Sequence, residues 1–317
     1  MAIFISDISA CEYWFGDQPT IRTARPLACV PGFSAACHAV GSAPWEELER
    51  LGFCSDGCGP LHVDVPMRRM TARNNALKTH VWSTPPAGTF VRLSDDVYVE
   101  APIASLVRCS RLLTDGELAK YLYQALGAFR VCRGRTVDAP PLTTMEDALR
   151  YLAGAGSVRG ACRLRELLAY VAPGAASVRE CEVGVLLCLP ARLGGRGLPL
   201  PKLNHRIESR VSALGIVRYA DFCWVLVRLI LEYDSREFHA DAEKIGLDSA
   251  RRAQLQLEGY EVVTLTNYQL KRRAEFEDVV RKLQRELGVK AQTSRFTDFA
   301  EREARLRRSV LGIDWLG

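Results

Sequence analysis

The stretch that decides the fold is Asp221–Asp234, which reads Asp-Phe-Cys-Trp-Val-Leu-Val-Arg-Leu-Ile-Leu-Glu-Tyr-Asp. Two apolar runs rich in β-branched and aromatic residues flank Arg228, and each is short enough to be a buried strand. Alternation along the second strand places the side chains of Glu232 and Asp234 on one face. The stretch therefore predicts two adjacent strands that bring Asp221 close to these two carboxylates.

The acidic side chains of this stretch need compensation, because an ionised carboxylate buried without a partner loses several kcal/mol of hydration. A divalent cation provides it, and Mg²⁺ keeps several of its own waters, so a few protein oxygens suffice. A second interpretation stays open, since an Asp at a strand start and a Glu-x-Asp at a strand end are also typical of rim residues that face water. The sequence predicts either a hard-metal site at Asp221, Glu232 and Asp234 or a solvated sheet edge.

The composition fits an ordinary globular protein of 317 residues with a net charge of +5. This length predicts two domains and a sizeable core. No apolar run is long enough to span a bilayer, so we expect no membrane partner. The N-terminus has no basic region followed by a long apolar core, so we expect no secretory signal, a cytoplasmic location and reduced cysteines.

The first 130 residues predict a smaller α+β domain. Residues 1–60 are rich in loop signals, with a helix expected near 43–51, and a further helix is expected over Ala101–Leu113. Turn residues separate short apolar runs of strand length between them. The predicted strands are Leu61–Val65, Thr79–Trp82, Thr89–Leu93 and Val97–Glu100.

Basic residues are interleaved among these strands and favour one of two interpretations, a surface that faces nucleic acid or a solvated loop. They are Arg68, Arg69, Arg73, Lys78 and His80. The following region, 131–176, is expected to be a helical linker region, and its first part, 131–142, is predicted to be a linker without regular structure.

From residue 177 the predicted elements follow a regular order. Ser177 and Glu180 have the spacing of a capping box, so Glu180 has a structural role available as well as a functional one. The expected order is a helix to about Leu189, strands Leu203–Ile207, Ile216–Val225 and Leu229–Asp234, a helix Asp248–Glu258, a strand Tyr260–Thr266, a helix Asn267–Leu287 and a charged helix 297–311.

This order, with an Asp on the second strand and Glu-x-Asp on the third, resembles the PD-(D/E)XK nuclease superfamily. The resemblance is closer to the small domains related to very-short-patch-repair (Vsr) endonucleases, and it covers about 177–290. The region 60–130 is more faintly similar to the middle part of AbiEi-type antitoxin-related proteins. The matching stretches are Ser177-x-x-Glu180, residues 197–204, Asp221-Phe222, Leu-Glu232-Tyr-Asp234-Ser-x-x-Phe-His239, Asp248-x-x-Arg251 and residues 259–266.

The resemblance implies an α+β fold whose C-terminal part is a restriction-endonuclease-like αβββαβ core, with a mixed sheet flanked by helices. The domain boundaries that go with it are 1–130 for the N-terminal domain, 131–176 for the linker region, 177–290 for the nuclease-like domain and 291–317 for a C-terminal helix.

The resemblance also implies roles for the acidic residues. Asp221 and Glu232 would hold Mg²⁺ or Mn²⁺, and Glu180 of the preceding helix would add a direct or outer ligand. Asp234 lies where the superfamily usually has a lysine, and a carboxylate cannot supply that positive charge. His239 is then the expected proton carrier, because its unperturbed pKa lies near neutrality, although a packed or surface histidine is the alternative.

Contacts to DNA are implied for basic residues on the later helices. Arg251 or Arg252 would contact a phosphate, with an ion pair to Glu232 or Asp248 as the alternative. Residues 267–317 hold twelve Lys and Arg against eight Asp and Glu, which permits further backbone contacts. The residues expected to make these contacts are Lys271, Arg272 and Arg273.

The resemblance therefore predicts a metal-dependent DNA endonuclease that hydrolyses phosphodiesters. The alternative is a catalytically weak or inactive regulator that keeps the nuclease fold, binds DNA and acts like an antitoxin. DNA is the partner expected in both cases, and a cognate toxin or another protein is the additional partner in the second.

Overall fold

The structure, a computed structural model, describes residues 2–29, 33, 43–53, 59–71, 75–208, 217–234, 253–313 and 315. The protein has the predicted α+β fold, with helices and mixed sheets. It divides into two compact units. The first unit comprises Met1–Thr114 and Gln124–Ala169, and the second comprises Asp115–Tyr123 and Tyr170–Gly317.

A five-stranded sheet forms the centre of the first unit. Its order is β3-β2-β1-β5-β4, with β1 parallel to β5 and antiparallel to β2, and with β2 parallel to β3. The strands predicted from sequence in this region are confirmed, whereas β1 was not expected because a three-residue buried strand has no alternation to detect. The strands are β1 (Ile3–Ile5), β2 (Leu61–Val65), β3 (Leu77–Val81), β4 (Phe90–Arg92) and β5 (Val97–Glu100).

Helices pack on this sheet around a core that includes Trp14, Leu48 and Ala104. The first helix begins at Asp7, two residues after β1, and lies in the segment predicted to be loop-rich. The helices of the first unit are α1 (Asp7–Phe15), α2 (Trp45–Arg50), α3 (Pro102–Cys109), α5 (Met145–Gly154) and α6 (Ala161–Leu168). Helix α4 (Asp115–Ala125) belongs mostly to the second unit.

A β-hairpin replaces the linker expected at 131–142, so that prediction was wrong. Strands β6 (Phe129–Cys132) and β7 (Arg135–Asp138) pair antiparallel across a two-residue turn. The turn residues Arg133 and Gly134 both have positive φ, 51° and 70°. A two-residue turn with this backbone matches the twist of the flanking strands, but Arg-Gly is not the Asn-Gly or Asp-Gly pair that usually signals it.

Gly134→Ala should lower the free energy of unfolding by about 1 kcal/mol, because an alanine is strained in the left-handed conformation. No steric clash complicates this expectation, since nothing lies within 4 Å of an added Cβ at Gly134. Gly154→Ala is the matched control, because Gly154 lies in a helix with equally open space and without a positive φ. Its free energy of unfolding should stay unchanged or rise by up to about 1 kcal/mol. Denaturant titration measures both, and equal effects would contradict the assignment of the turn.

The second unit contains a four-stranded mixed sheet in the order β11-β10-β9-β8. The first three of its strands along the chain form the predicted antiparallel meander, and β11 pairs parallel to β10. The parallel connection passes through a segment of which residues 253–257 are described and helical. The elements are α7 (Val178–Cys188), β8 (Lys202–Glu208), β9 (Val217–Trp224), β10 (Leu229–Asp234) and β11 (Glu261–Thr266).

The helix predicted over Asn267–Leu287 is divided in two. Helix α8 (Asn267–Lys271) starts with a capping box between Thr266 and Gln269, and α9 (Arg273–Leu287) follows. The backbone of Arg272 between them is extended, with φ −114° and ψ 133°. The last helix is α10 (Phe299–Leu311). Over the described part of the chain, no helix combines the length and the apolar character needed to cross a membrane.

Candidate functional site

The predicted carboxylates lie where β9 and β10, the central strands of the second sheet, stop pairing. The last cross-strand pair on this side joins Leu231 to Phe222. Extending this register by one residue sets Glu232 opposite Asp221, and directly opposed residues of an antiparallel pair point to the same face. Asp234, two residues beyond Glu232, shares that face. The arrangement is that predicted from the alternation in the sequence.

The Asp221 carboxylate closes the end of this strand pair. Its Oδ2 accepts a hydrogen bond from the backbone N–H of Tyr233 at 2.8 Å, in place of a carbonyl oxygen of β9. Asp221, Glu232 and Asp234 are all half-buried. These side chains therefore lie partly exposed at the point where pairing between β9 and β10 ends.

Glu180 lies in the first turn of α7 and performs the capping role that its spacing from Ser177 predicts. Its carboxylate accepts hydrogen bonds from the backbone N–H of Ala176 at 2.8 Å and from the Ser177 hydroxyl at 2.9 Å. A third bond comes from the side-chain amide of Asn204 at 2.7 Å. Three donors fix the orientation of Glu180, so its use as a direct metal ligand requires at least one of these bonds to give way.

Asn204 links this helix terminus to the sheet. It lies on β8 between two residues that pair with β9, which places it beside Asp221 on the neighbouring strand. Its backbone has a positive φ of 46°, a conformation that Asn tolerates better than most residues. The same side-chain amide also donates to the carbonyl oxygen of Gly174 at 2.9 Å. Asn204 therefore holds Glu180 close to the carboxylates of the strands.

Two of the carboxylates, Glu180 and Asp221, act on each other electrostatically. Burial raises the pKa of Glu180 above its usual value, the hydrogen bond from Ala176 opposes the shift, and the negative charge of Asp221 adds to it. Repulsion between Glu180 and Asp221 means that their ionised forms destabilise each other. A bound cation, or a proton on Glu180, relieves this repulsion.

The carboxylates are not drawn together as tightly as a complete coordination shell. Within the described residues, the group of three or more His, Cys, Asp or Glu side chains with ligand atoms all within 4.8 Å of one another is Asp7, His62 and His80. This group belongs to the first unit and was not predicted from the sequence as a metal site, although His80 was named among the basic residues between the strands. The available signal was a histidine in each of two neighbouring strands among only five in the chain.

Of the remaining residues predicted for catalysis or DNA binding, the structure describes three. His239, Arg251 and Arg252 lie outside the described residues. Lys271 and Arg272 are half-buried and Arg273 is exposed, at the junction of α8 and α9. The guanidinium of Arg272 stacks over the ring of Tyr268, with 3.8 Å between its central carbon and the ring centroid.

Two relatives in Mycobacterium tuberculosis share most of the chain. They are the uncharacterized protein MT2308 of strain CDC 1551 and the uncharacterized protein Rv2248 of strain H37Rv, each 31% identical over 258 residues. The matched region covers 80% of this chain and 83% of each relative. The chain belongs to the family of these mycobacterial proteins. No family model matches the chain, and no solved structure matches it significantly.

A pH-dependent stability test follows from the raised pKa of Glu180. A carboxyl with a pKa raised in the folded state contributes stability that is lost as the pH rises through the raised value. Glu180→Gln lacks this titration, so its free energy of unfolding relative to the unmodified protein should increase as the pH rises above about 4.5. Urea unfolding at pH 4 and pH 7 measures the difference.

The control for this measurement is Glu286→Gln. Glu286 is half-buried on α9 and forms an ion pair with the exposed Arg285. Its replacement should change the free energy of unfolding by the same amount at both pH values, within a few tenths of a kcal/mol. A difference for Glu180→Gln that shrinks with rising pH would contradict the repulsion between Glu180 and Asp221.

Proposed function

We propose that the second unit is a metal-dependent DNA endonuclease that hydrolyses phosphodiester bonds of cytoplasmic DNA. The observation that carries this proposal is the position of Asp221 and Glu232 at the open end of adjacent central strands, with Glu180 held close enough to feel the charge of Asp221. Carboxylates in this arrangement attract a hard divalent cation such as Mg²⁺ or Mn²⁺.

The order of elements supports the resemblance to the PD-(D/E)XK and Vsr-like nucleases. A helix, an antiparallel three-stranded meander and a fourth strand parallel to the third follow one another in the second unit. This agrees with the αβββαβ order on which the resemblance rests. The functional inference depends on the acidic residues as well, because one fold can host many unrelated activities.

The chemistry proposed for each residue follows from the resemblance. Asp221 and Glu232 would hold the cation, which activates a water and neutralises charge on the phosphate. Glu180 would act through its repulsion with Asp221 or, after losing one of its three hydrogen bonds, as a further ligand. Asp234 supplies a carboxylate on the same face, and His239 would receive the proton of the attacking water.

Asp221→Asn and Glu232→Gln should each lower the rate of DNA cleavage by about 100-fold or more, since a catalytic cation contributes several kcal/mol to the transition state. Nicking of supercoiled plasmid with Mg²⁺ or Mn²⁺ measures the rate. Both amides keep the shape of the acids, and the amide introduced by Asp221→Asn retains an oxygen that accepts from the N–H of Tyr233. Loss of cleavage would therefore report the charge rather than unfolding.

Glu261→Gln is the matched control for this experiment. Glu261 lies on the neighbouring strand β11 at the opposite end of the sheet, where it pairs with Leu229 and forms an ion pair with Lys282. Its replacement should leave cleavage within about twofold, because an exposed ion pair contributes little to stability. Cleavage that survives both Asp221→Asn and Glu232→Gln would contradict the assignment.

A second candidate function is a catalytically weak or inactive DNA-binding regulator that acts like an antitoxin, with a cognate toxin or another protein as partner. The three hydrogen bonds that engage Glu180 favour this candidate, as does a carboxylate at residue 234 in place of a lysine. Duplex binding without any cleavage in Mg²⁺ or Mn²⁺ would favour the regulator over the nuclease.

Both candidate functions predict DNA binding at the junction of α8 and α9. Replacing Lys271, Arg272 and Arg273 by alanine should weaken duplex binding and reduce the slope of log K against log salt by about 0.9 for each phosphate that is no longer neutralised. Arg281→Ala and Arg285→Ala are the controls, because both are exposed on α9 and paired with acidic neighbours. An equal change of slope in controls and variants would contradict a specific role of the junction. Fluorescence anisotropy at several salt concentrations gives the slopes.

A further inference from the structure

The strongest unassigned cluster lies in the first unit, at the ends of strands that meet at one edge of the five-stranded sheet. Asp7 follows the carboxyl end of β1, and Glu100 ends the parallel strand β5 beside it. The backbone N–H of Asp7 donates to Glu100 Oε2 at 2.8 Å. His62 on β2 and His80 on β3 face the same point from the other side of β1.

The ligand atoms of Asp7, His62 and His80 are spaced like one face of a coordination polyhedron. His80 Nε2 lies 3.2 Å from His62 Nδ1 and 3.6 Å from Asp7 Oδ2, and all three atoms lie within 4.8 Å of one another. Ligands about 2.0–2.1 Å from a tetrahedral Zn²⁺ ion stand roughly 3.3 Å apart. The two shorter separations match this edge length closely.

Without a metal, Nε2 of His80 takes part in one hydrogen bond, with His62 Nδ1 at 3.2 Å. The Asp7 oxygen at 3.6 Å is in van der Waals contact with the same nitrogen and is too distant for a second hydrogen bond. A single cation between the three atoms would bind all of them at once.

We propose that Asp7, His62 and His80 bind a divalent transition-metal ion of the zinc type, with a fourth position open to water or an exogenous anion. Two imidazoles and one carboxylate are a donor set that suits Zn²⁺, Co²⁺ and Fe²⁺ better than Mg²⁺. This site is therefore distinct in chemistry from the carboxylates of the second unit.

The types of side chain suit this site, because a metal is bound by a neutral imidazole and by an ionised carboxylate. Asp7 and His62 are buried. His80, with 19% of its side chain exposed, lies on the side from which an ion can enter.

The surrounding structure fixes the ligands in place. Asp7 is held in a left-handed conformation at φ 55° by the bond to Glu100, and the backbone N–H of His62 donates to the Ser9 hydroxyl at 3.1 Å. These bonds fix the backbone from which the two side chains project. Rare backbone conformations also persist where the surrounding structure demands them, as at functional sites.

Arg111 is the group that a cation would displace. Its guanidinium donates to Asp7 Oδ2 at 2.6 Å, and 41% of its side chain is exposed, so it can swing into solvent. Arg108 lies deeper and engages Asp64 at 2.9 Å and Glu100 at 3.4 Å. A metal therefore competes with Arg111 and leaves the Arg108 ion pairs intact.

The test uses the full chain, freed of metal by a chelator and titrated with Co²⁺. We expect one Co²⁺ per chain with the visible absorption of a four- or five-coordinate site, displaced by one equivalent of Zn²⁺. His62→Ala and His80→Ala should each weaken binding by at least about tenfold. His205→Ala, on β8 in the second unit, should leave it unchanged. Absence of Co²⁺ binding, or binding unaffected by the first two variants, would overturn the proposal.

Two further variants distinguish this site from a metal bound elsewhere in the chain. Asp221→Asn should keep the cobalt signal, and a signal lost in that variant would place the metal in the second unit and overturn the proposal. Arg111→Ala provides the test in the case that circular dichroism shows a histidine variant to be unfolded in the presence of chelator. Removal of the competing positive charge should tighten Co²⁺ binding by about tenfold or more, whereas unchanged or weaker binding would count against the site.

Discussion

The end of the β9–β10 strand pair is the constraint on which the second unit depends. Pairing between these two strands stops here, and the Asp221 carboxylate accepts a hydrogen bond from the backbone N–H of Tyr233 at 2.8 Å. A charged side chain thus replaces a backbone carbonyl oxygen as the acceptor. That bond keeps the Asp221 carboxylate oriented. Glu180 lies close enough that the charge of Asp221 adds to the rise in its pKa, of which burial is the larger cause. The two acidic groups therefore constrain each other, and the proposed cation site depends on this pair.

In the first unit, buried carboxylates are paired with an arginine side chain of the same unit. Asp64 and Glu100 are fully buried, and burial raises the pKa of Asp64 to about 6 and that of Glu100 well above its usual range. Arg108 lies between them as the common ion-pair partner. The Asp7 carboxylate, by contrast, accepts a hydrogen bond from the partly exposed Arg111. The deeper carboxylates, Asp64 and Glu100, therefore have a partly buried partner in Arg108, whereas the partner of Asp7, Arg111, is more exposed.

Local pattern was sufficient wherever a strand alternates or is bounded by clear turn residues. Strand β10 has the bounds predicted from the sequence, Leu229–Asp234, and β2 and β5 agree in the same way. Pattern was insufficient for β1, where three consecutive buried residues pair with a strand more than ninety residues away. It was also insufficient for the hairpin at Arg133 and Gly134, because an arginine with positive φ is stabilised by strand pairing rather than by its own preference.

The sequence by itself determined the three-stranded meander and the fourth strand of the second unit. It also determined that Glu232 and Asp234 share one face of β10, because the period of two fixes which side chains share a face. Only the tertiary structure decided that Asn204 also engages Glu180, and that Asp7, His62 and His80 meet. Those contacts join residues distant in the chain. Their geometry follows from strand order and register, which are set by the packing of a whole unit and not by any one segment.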